Sequence, residues 1–413
     1  MQLLQEMGGF ATIAIADQNT ITDTAVPCIC GEDYQAVIDD YDVVFKSPGI
    51  VLEKPFDSYK ALITSQAEVF MSVYGRQCIG VTGTKGKSTT ATLLYHVLRR
   101  AGIDSVLLGN IGIPPFDRIE EITPQTVVVL ELSCHQLEYT RFDPHIAVLL
   151  NIYEEHLDHY GTLEKYRAAK ENIYRWQMPQ DLLFCNIADY PAKDTCQSRV
   201  LTLGDEQSKA DIRIGANTVY LKDGTIYTIP ADTPLHGAHN AFDIGVVYAI
   251  ANMSGVNDKT FTEALMTYQP LPHRLQAVGE YDGIRFYDDS ISTIGETTIG
   301  ALDALPDTDT VLIGGMDRGI DYTVLIDYLS HAPVPHILLM EATGERIYRE
   351  AMAHGVDRPE RFQLVGDLQN AVKVAKEITR KGKICLLSPA AASYGIFRNF
   401  EHRGEVFCEL IKA

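Results

Sequence analysis

The stretch Ile79-Gly80-Val81-Thr82-Gly83-Thr84-Lys85-Gly86-Lys87-Ser88-Thr89-Thr90 constrains this chain more than any other. An apolar run enters a glycine-rich turn that ends in Lys-Ser-Thr, at the head of the helical pattern Thr92-Leu93-Leu94-Tyr95-His96-Val97-Leu98. Glycines let backbone N–H groups close on an oxyanion, and a helix N-terminus adds favourable partial charge. Lys87 has the length to reach β- and γ-phosphates, and the Ser88 hydroxyl can sit on Mg²⁺. The spacing is unusual: five residues lie between Gly80 and Gly86, and two between Gly83 and Gly86. An ordinary strand-turn-helix with incidental glycines is the plainer alternative. Gly-Lys-Ser-Thr sits where phosphate chemistry needs it, so the chain is expected to bind a nucleoside triphosphate.

Short apolar runs alternate with helical patterns almost throughout, which predicts α/β architecture with mainly parallel sheets. A chain of 413 residues is too long for one ordinary core. Three α/β units of unequal size are expected, with a boundary near Pro270-Leu271-Pro272. Strands are predicted at Thr12–Ala16 running into Asp17, at Val43–Phe45, at 126–130, at 146–150 and at 182–186, then at 310–313, 337–340 and 384–387. The first unit opens on an apparent helix, Leu3 to Met7. A nucleotide-binding unit would open on a strand and a glycine turn, so this one reads as lacking its first strand.

A formal charge of −20 argues against a general nucleic-acid binder, which needs clustered Lys and Arg. An anionic small substrate in a local basic pocket remains compatible with it. There is no apolar run of bilayer-spanning length, and the start lacks the basic leader of a signal peptide. Of eight cysteines only Cys28-Ile29-Cys30 are close, with no second pair at metal-ligand spacing. No zinc site is therefore expected, and the thiols read as reduced side chains of a cytoplasmic protein without a membrane partner.

Several strand ends carry candidate chemistry. Glu131 closes Val127-Val128-Val129-Leu130, where an acid downstream of a phosphate loop can hold Mg²⁺, or can be a solvated strand-end acid. The next strand leads to Asn151-Ile152-Tyr153-Glu154-Glu155-His156-Leu157-Asp158-His159. Glu155 and His156 are its better metal candidates, and Asp158 could equally cap a helix beginning near Thr162. By periodicity alone Lys170 belongs on the surface. Asn240 either meets an adenine edge or caps the helix that follows. Arg274 on phosphate and Asp289 on ribose hydroxyls would complete a nucleotide site between two domains. Ser388-Pro389-Ala390-Ala391-Ala392-Ser393 either makes room for a ligand or is a tight packing turn.

Taken in order, the segments resemble the ATP-dependent Mur ligases of peptidoglycan synthesis over nearly the whole chain. The resemblance rests on Gly83–Thr89, Gly109-Asn110-Ile111-Gly112, Leu130-Glu131-Leu132-Ser133-Cys134-His135-Gln136-Leu137-Glu138, Glu155-His156-Leu157-Asp158, Tyr166-Arg167-Ala168-Ala169-Lys170, Gly237-Ala238-His239-Asn240, Pro272-His273-Arg274, Leu387-Ser388-Pro389-Ala390 and Asn399-Phe400-Glu401-His402-Arg403-Gly404. It implies three domains: a small Rossmann-like one over 1–72, a central P-loop ATPase-like one over 73–270 and a C-terminal Rossmann-like one over 271–413. It also implies a monomer that adds D-glutamate to UDP-N-acetylmuramoyl-L-alanine through an acyl phosphate, with ATP and two Mg²⁺. The ATP site would comprise Gly83, Thr84, Lys85, Gly86, Lys87, Ser88, Thr89, Asn240, Arg274 and Asp289. Ser88 would hold one Mg²⁺; Glu131, His156 and a carbamylated Lys170 would hold the other. Lys87, Glu131, His156 and Lys170 would be the catalytic set. Asp17, Ser47, Pro48, Gly49, Asn110, Ser133 and Gln136 map onto the UDP-substrate site, and Thr293, Arg318, Ser393 and Phe400 onto the glutamate pocket.

Three positions depart from the family pattern. Ile291 replaces a Lys after Asp289-Ser290, Arg318 replaces a Lys in Gly314-Gly315-Met316-Asp317-Arg318-Gly319, and Asp243 replaces the second Asn of a His-Asn-x-x-Asn run. Arg still holds a carboxylate in bidentate fashion but with different reach. The first two touch the region that reads the amino acid, so ligation of L-glutamate stands as an alternative; Ile291 together with the shortened first unit motivates a second, an inactive nucleotide-binding relative.

Overall fold

The structure is a computed structural model describing residues 4–5, 8–21, 26–110 and 113–412. The predicted opening helix falls largely outside these residues, as do Ile111 and Gly112. The N-terminal part holds two parallel pairs of short strands, β1 (Ile15–Asp17) with β2 (Cys28–Cys30) and β3 (Val43–Phe45) with β4 (Leu62–Thr64). β1 is shorter than the alternation suggested, beginning at Ile15 rather than Thr12.

A nine-stranded sheet follows, built from β5 (Cys78–Thr82), β6 (Ser105–Gly109), β7 (Val127–Glu131), β8 (Ile146–Leu149), β9 (Leu182–Asn186), β10 (Arg199–Asp205), β11 (Ile212–Ile214), β12 (Thr218–Tyr220) and β13 (Ile226–Thr228). Its order is β13-β12-β11-β10-β9-β8-β5-β7-β6. Every pairing from β6 to β11 is parallel, and the β11–β12–β13 edge is antiparallel. All five residues of β5 are buried, as a strand covered on both faces must be. One face packs the helices Lys87–Arg100, Ala238–Met253 and Asp258–Thr267; the other packs Phe70, Leu137, Tyr166 and Ile173.

The chain then crosses from Thr267 through Pro270 and Pro272 to a six-stranded sheet. Its strands are β14 (Gln276–Tyr281), β15 (Ile284–Asp288), β16 (Thr308–Gly314), β17 (His336–Met340), β18 (Phe362–Gly366) and β19 (Ile384–Leu387), in the order β14-β15-β19-β16-β17-β18. Only β14 is antiparallel to its neighbour. The α/β class with mainly parallel sheets is therefore as the alternating pattern predicts. No helix among the described residues is long and apolar enough to cross a membrane.

Candidate active site

Strand order builds the site. β5 lies between β7 and β8, so the glycine loop leaving β5 is flanked by Glu131 at the end of β7 and by Asn151–His156 after β8. Sequence spacing cannot show this, because the neighbours come from separate crossovers.

The loop is cross-braced by its flanks. The Thr84 amide donates to the Asn151 carbonyl at 2.9 Å. Asn151 Oδ1 accepts from the Lys85 amide at 2.9 Å, and its Nδ2 donates to the Lys85 carbonyl at 3.1 Å. Thr84 Oγ1 accepts from the Tyr153 amide and shares a hydrogen bond with the Tyr166 hydroxyl at 3.0 Å. Gly86 caps the helix Lys87–Arg100 with φ +85°, and a Cβ there would lie 2.4 Å from Asp243 Oδ1. Both facts demand glycine. The Lys87 ammonium folds back onto the Thr84 carbonyl at 2.9 Å, and Ser88 follows it in the first turn of the helix, half-buried. Thr89 Oγ1 is buried without a partner.

The three expected metal ligands, Glu131, His156 and Lys170, all lie beside the loop. Glu131 is fully buried; its Oε1 accepts from Asn110 Nδ2 at 2.9 Å, while its Oε2 has no partner. Such an orphaned carboxylate oxygen is costly unless something cationic meets it. Gly109 permits this approach, since a Cβ there would lie 2.2 Å from the Glu131 carbonyl oxygen at φ +102°. His156 sits in left-handed backbone at φ 57°, and burial, seconded by His135 and opposed by Glu155, pushes its imidazole down to about 4. The imidazole is therefore neutral at ordinary pH.

Lys170 is 1% exposed, not the surface residue that its periodicity suggested. Its Nζ donates to the Gly83 carbonyl at 2.7 Å and lies 4.8 Å from the Tyr166 ring centroid. Burial, with Lys87 nearby, pushes the amine down to about 7. Glu155, a metal candidate with His156 from its own segment, is otherwise engaged: its Oε1 accepts from Lys85 Nζ at 3.1 Å and Thr293 Oγ1 at 3.3 Å. Burial acts to raise it, but Lys85, His156, Lys87 and Arg318 together hold it well below the usual carboxylate range. The helix Leu163–Glu171 is capped by Thr162, which accepts from the Lys165 amide, so Asp158 is not needed for that role.

On the nucleotide side, the helix Ala238–Met253 is capped by Gly237, not by Asn240. Asn240 Nδ2 instead donates to the His236 carbonyl at 2.7 Å, leaving its buried Oδ1 without a partner. Asp243 is buried and pushed up to about 7 by burial, against the pull of Arg274. Arg274 Nε is buried and unpartnered. Asp289 is buried and raised to about 6 by burial. Its Oδ1 accepts from the Leu275 amide at 3.2 Å, and its Oδ2 from the Ser388 hydroxyl at 2.8 Å and from Ser292. The carboxylate is thus already engaged in pinning the turns after β15 and β19.

Those turns belong to adjacent strands of the C-terminal sheet, and β16 next to β19 delivers Arg318. Arg318 donates to the Thr293 carbonyl at 3.1 Å and keeps an unpartnered Nε. Ser393 is buried, and the Phe400 carbonyl accepts from the Ser290 hydroxyl at 2.8 Å. Sequence reasoning missed Arg403. It is fully buried and donates to Ser290 Oγ at 3.0 Å, to the Ser290 carbonyl at 2.8 Å and to the Ala391 carbonyl at 3.0 Å. It ties together the turns that carry Thr293 and Ser393.

On the N-terminal side, Asp17 ends β1 and accepts from the Asn19 amide, while Ser47, Pro48 and Gly49 form an exposed turn after β3. Ser133 and Gln136 form a capping box around the short helix Cys134–Leu137. Lys46, another missed residue, has its side chain buried and reaches Glu138 at 3.4 Å. Phe56 stacks on Tyr139 at 4.5 Å and 3°. Lys46, His135, Gln136 and Tyr139 line one cavity between the N-terminal strands and the central sheet.

A glycine loop flanked by an acidic strand end, with the C-terminal sheet packed against it, is the frame of a nucleotide-driven enzyme. Residues 81–251 match the Mur ligase middle domain. The chain is 35% identical to the UDP-N-acetylmuramoylalanine–D-glutamate ligase of Geobacillus kaustophilus, over 99% of this chain and 94% of that protein. It is 30% identical to the protein of the same name from Streptococcus agalactiae, over 100% and 94%. In fold it is similar to MurF from Acinetobacter baumannii, with a TM-score of 0.63 at 16% identity, covering 96% of this chain and 84% of that one. The chain belongs to the Mur ligase family. Both of these relatives, matched over nearly their full length, carry the name UDP-N-acetylmuramoylalanine–D-glutamate ligase.

Proposed function

We propose that this protein joins D-glutamate to UDP-N-acetylmuramoyl-L-alanine at the expense of ATP, as a cytoplasmic monomer whose domains divide at 1–72, 73–270 and 271–413. The observation that carries the reading is the group beside the phosphate loop. An orphaned Glu131 oxygen, a neutral His156 and a buried amine of lowered basicity border the glycine loop and support the reading.

The loop amides from Gly83 to Thr89 would cradle the ATP phosphates, with Asn240 Oδ1 free to accept from an adenine amino group. Asp289, held within the fold, would position Arg274 and its turn rather than grip the ribose alone. Lys87 would turn from the Thr84 carbonyl to the transferring phosphoryl group and stabilise its charge. The muramoyl-alanine carboxylate attacks the γ-phosphorus, ADP leaves, and a mixed anhydride results. The amine of glutamate then attacks the anhydride carbonyl, loses a proton, and expels inorganic phosphate as the amide forms.

Ser88 on one side and Glu131, His156 and Lys170 on the other fit two Mg²⁺, which would neutralise phosphate charge when bound. Only an unprotonated amine adds CO₂, and Lys170 has that character; a carbamate would turn it into an anionic oxygen donor. Asp17, the 47–49 turn, Asn110, Ser133 and Gln136 would hold the UDP substrate, while Thr293, Arg318, Ser393 and Phe400 would hold glutamate. Arg318 supplies the carboxylate-binding cation that Ile291 does not.

The test is phosphate release measured with each substrate omitted and with each glutamate enantiomer supplied. Release that needs ATP, the UDP substrate and D-glutamate supports the reading. ATP turnover indifferent to both substrates, or kcat/KM favouring L-glutamate, contradicts it.

A further inference from the structure

We infer that Cys134, His135 and His156 form a binding site for a soft divalent cation of the zinc type, and that its occupation shuts the ligase off by taking His156. Sequence spacing gave no hint of such a site, because one ligand arrives from the end of β7 and another from the loop after β8. The ligand atoms of the three residues all lie within 4.8 Å of one another. Cys134 Sγ and His135 Nδ1 are 3.5 Å apart. Zinc–sulfur and zinc–nitrogen bonds of about 2.3 and 2.0–2.1 Å at a tetrahedral angle put those two atoms about 3.5–3.6 Å apart. The pair is already set at a tetrahedral edge.

The supporting parts are rigid. The Ser133–Gln136 capping box fixes the helix that carries Cys134 and His135. His156 is fixed by its left-handed backbone, with its ring 4.8 Å from that of His135 at 79°. Cys134 is 3% exposed, so a cation reaching it exchanges water for sulfur and nitrogen. A thiolate and two imidazoles select zinc or a comparable ion over Mg²⁺, which prefers oxygen. Binding releases the thiol proton to solvent, and three protein ligands leave a position for water. The regulatory consequence rests on the reading of His156 as a Mg²⁺ ligand; the binding itself does not.

The experiment uses the full chain without substrates. One equivalent of Co²⁺, a spectroscopic stand-in for zinc, is expected to give the intense d–d bands of tetrahedral cobalt together with a thiolate charge-transfer band. Cys134→Ser should abolish the charge-transfer band, and in competition with a zinc indicator should weaken zinc binding by ~100-fold. A Co²⁺ spectrum without thiolate character, or zinc affinity equal in Cys134→Ser and wild type, overturns the proposal. If that variant fails to fold, zinc protection of Cys134 from alkylation in the wild type decides: protection supports the site and unchanged alkylation overturns it. With Mg²⁺ and all substrates present, equimolar zinc should stop phosphate release by the wild type and spare Cys134→Ser, and equal inhibition of both overturns the regulatory claim. A protein that binds cobalt through Cys134 yet ligates neither glutamate would retain this site and lose the proposed activity.

Discussion

Lys170 concentrates the chemistry of the site in one side chain. Its amine titrates near 7 because burial and Lys87 disfavour the ammonium, so CO₂ can add above that pH and not well below it. After equilibration with ¹³C-bicarbonate, a carbamate carbon signal is expected at pH 8 and a much weaker one at pH 6; equal signals would refute the link. Lys170→Ala should lower kcat by about 10²–10³-fold, with partial recovery on adding a short carboxylic acid. Asp243 shows the opposite shift. Its carboxyl titrates near 7 when folded against 3.8 as a free side chain. Folding thus takes up a proton between those values, and stability falls as pH rises through that window. Asp243→Asn should therefore melt above wild type at pH 8, with the gap shrinking toward pH 4; a gap independent of pH would contradict the burial argument. Lys170 was legible only through the family resemblance, because its periodicity put it on the surface. In the structure it shares a buried face with Tyr166, Ala169 and Ile173. Its neighbour across the site, the Gly83 carbonyl, was not legible at all.

At the scale of elements, the phosphate loop shows why glycine placement can be read from sequence while strand order cannot. Gly86 needs positive φ and has no room for a methyl group against Asp243. Gly86→Ala is expected to destabilise the protein by about 1–3 kcal/mol and to abolish ATP binding, as chemical denaturation and calorimetric titration with a nonhydrolysable nucleotide would show. Unchanged nucleotide affinity would mean that the loop does not cradle phosphate. The strand positions were largely legible because buried parallel strands write themselves as short apolar runs. The order placing β5 between β7 and β8 follows from how crossovers pack on the sheet, which no single segment encodes. That order sets Glu131 and Glu155 on either side of the loop, where Glu131 keeps an unpartnered oxygen and Glu155 is held by Lys85 and Thr293. It also brought Cys134 to His156, whereas spacing along the chain had argued against any thiolate metal site.

For the whole molecule, both polar and aromatic contacts link the N-terminal strands and the C-terminal sheet to the central one. Thr293 meets Glu155, Lys46 meets Glu138, and Phe56 stacks on Tyr139. An aromatic pair contributes about 0.5–1.5 kcal/mol beyond its buried area. Phe56→Ala should accordingly weaken binding of UDP-N-acetylmuramoyl-L-alanine by about 2- to 10-fold while leaving ATP affinity unchanged, read by titration with each ligand; an equal loss for both would make the stack a general prop. The net charge of −20 coexists with Lys85, Lys87, Lys170, Arg274 and Arg318 gathered around one loop, a local basic pocket in an acidic chain. The most direct measurement concerns the acyl phosphate. UDP-N-acetylmuramoyl-L-alanine labelled with ¹⁸O in its carboxylate, turned over with ATP and D-glutamate, is predicted to pass one ¹⁸O into each inorganic phosphate released, seen as an isotope shift in the ³¹P spectrum. Amide product formed alongside unlabelled phosphate would contradict it.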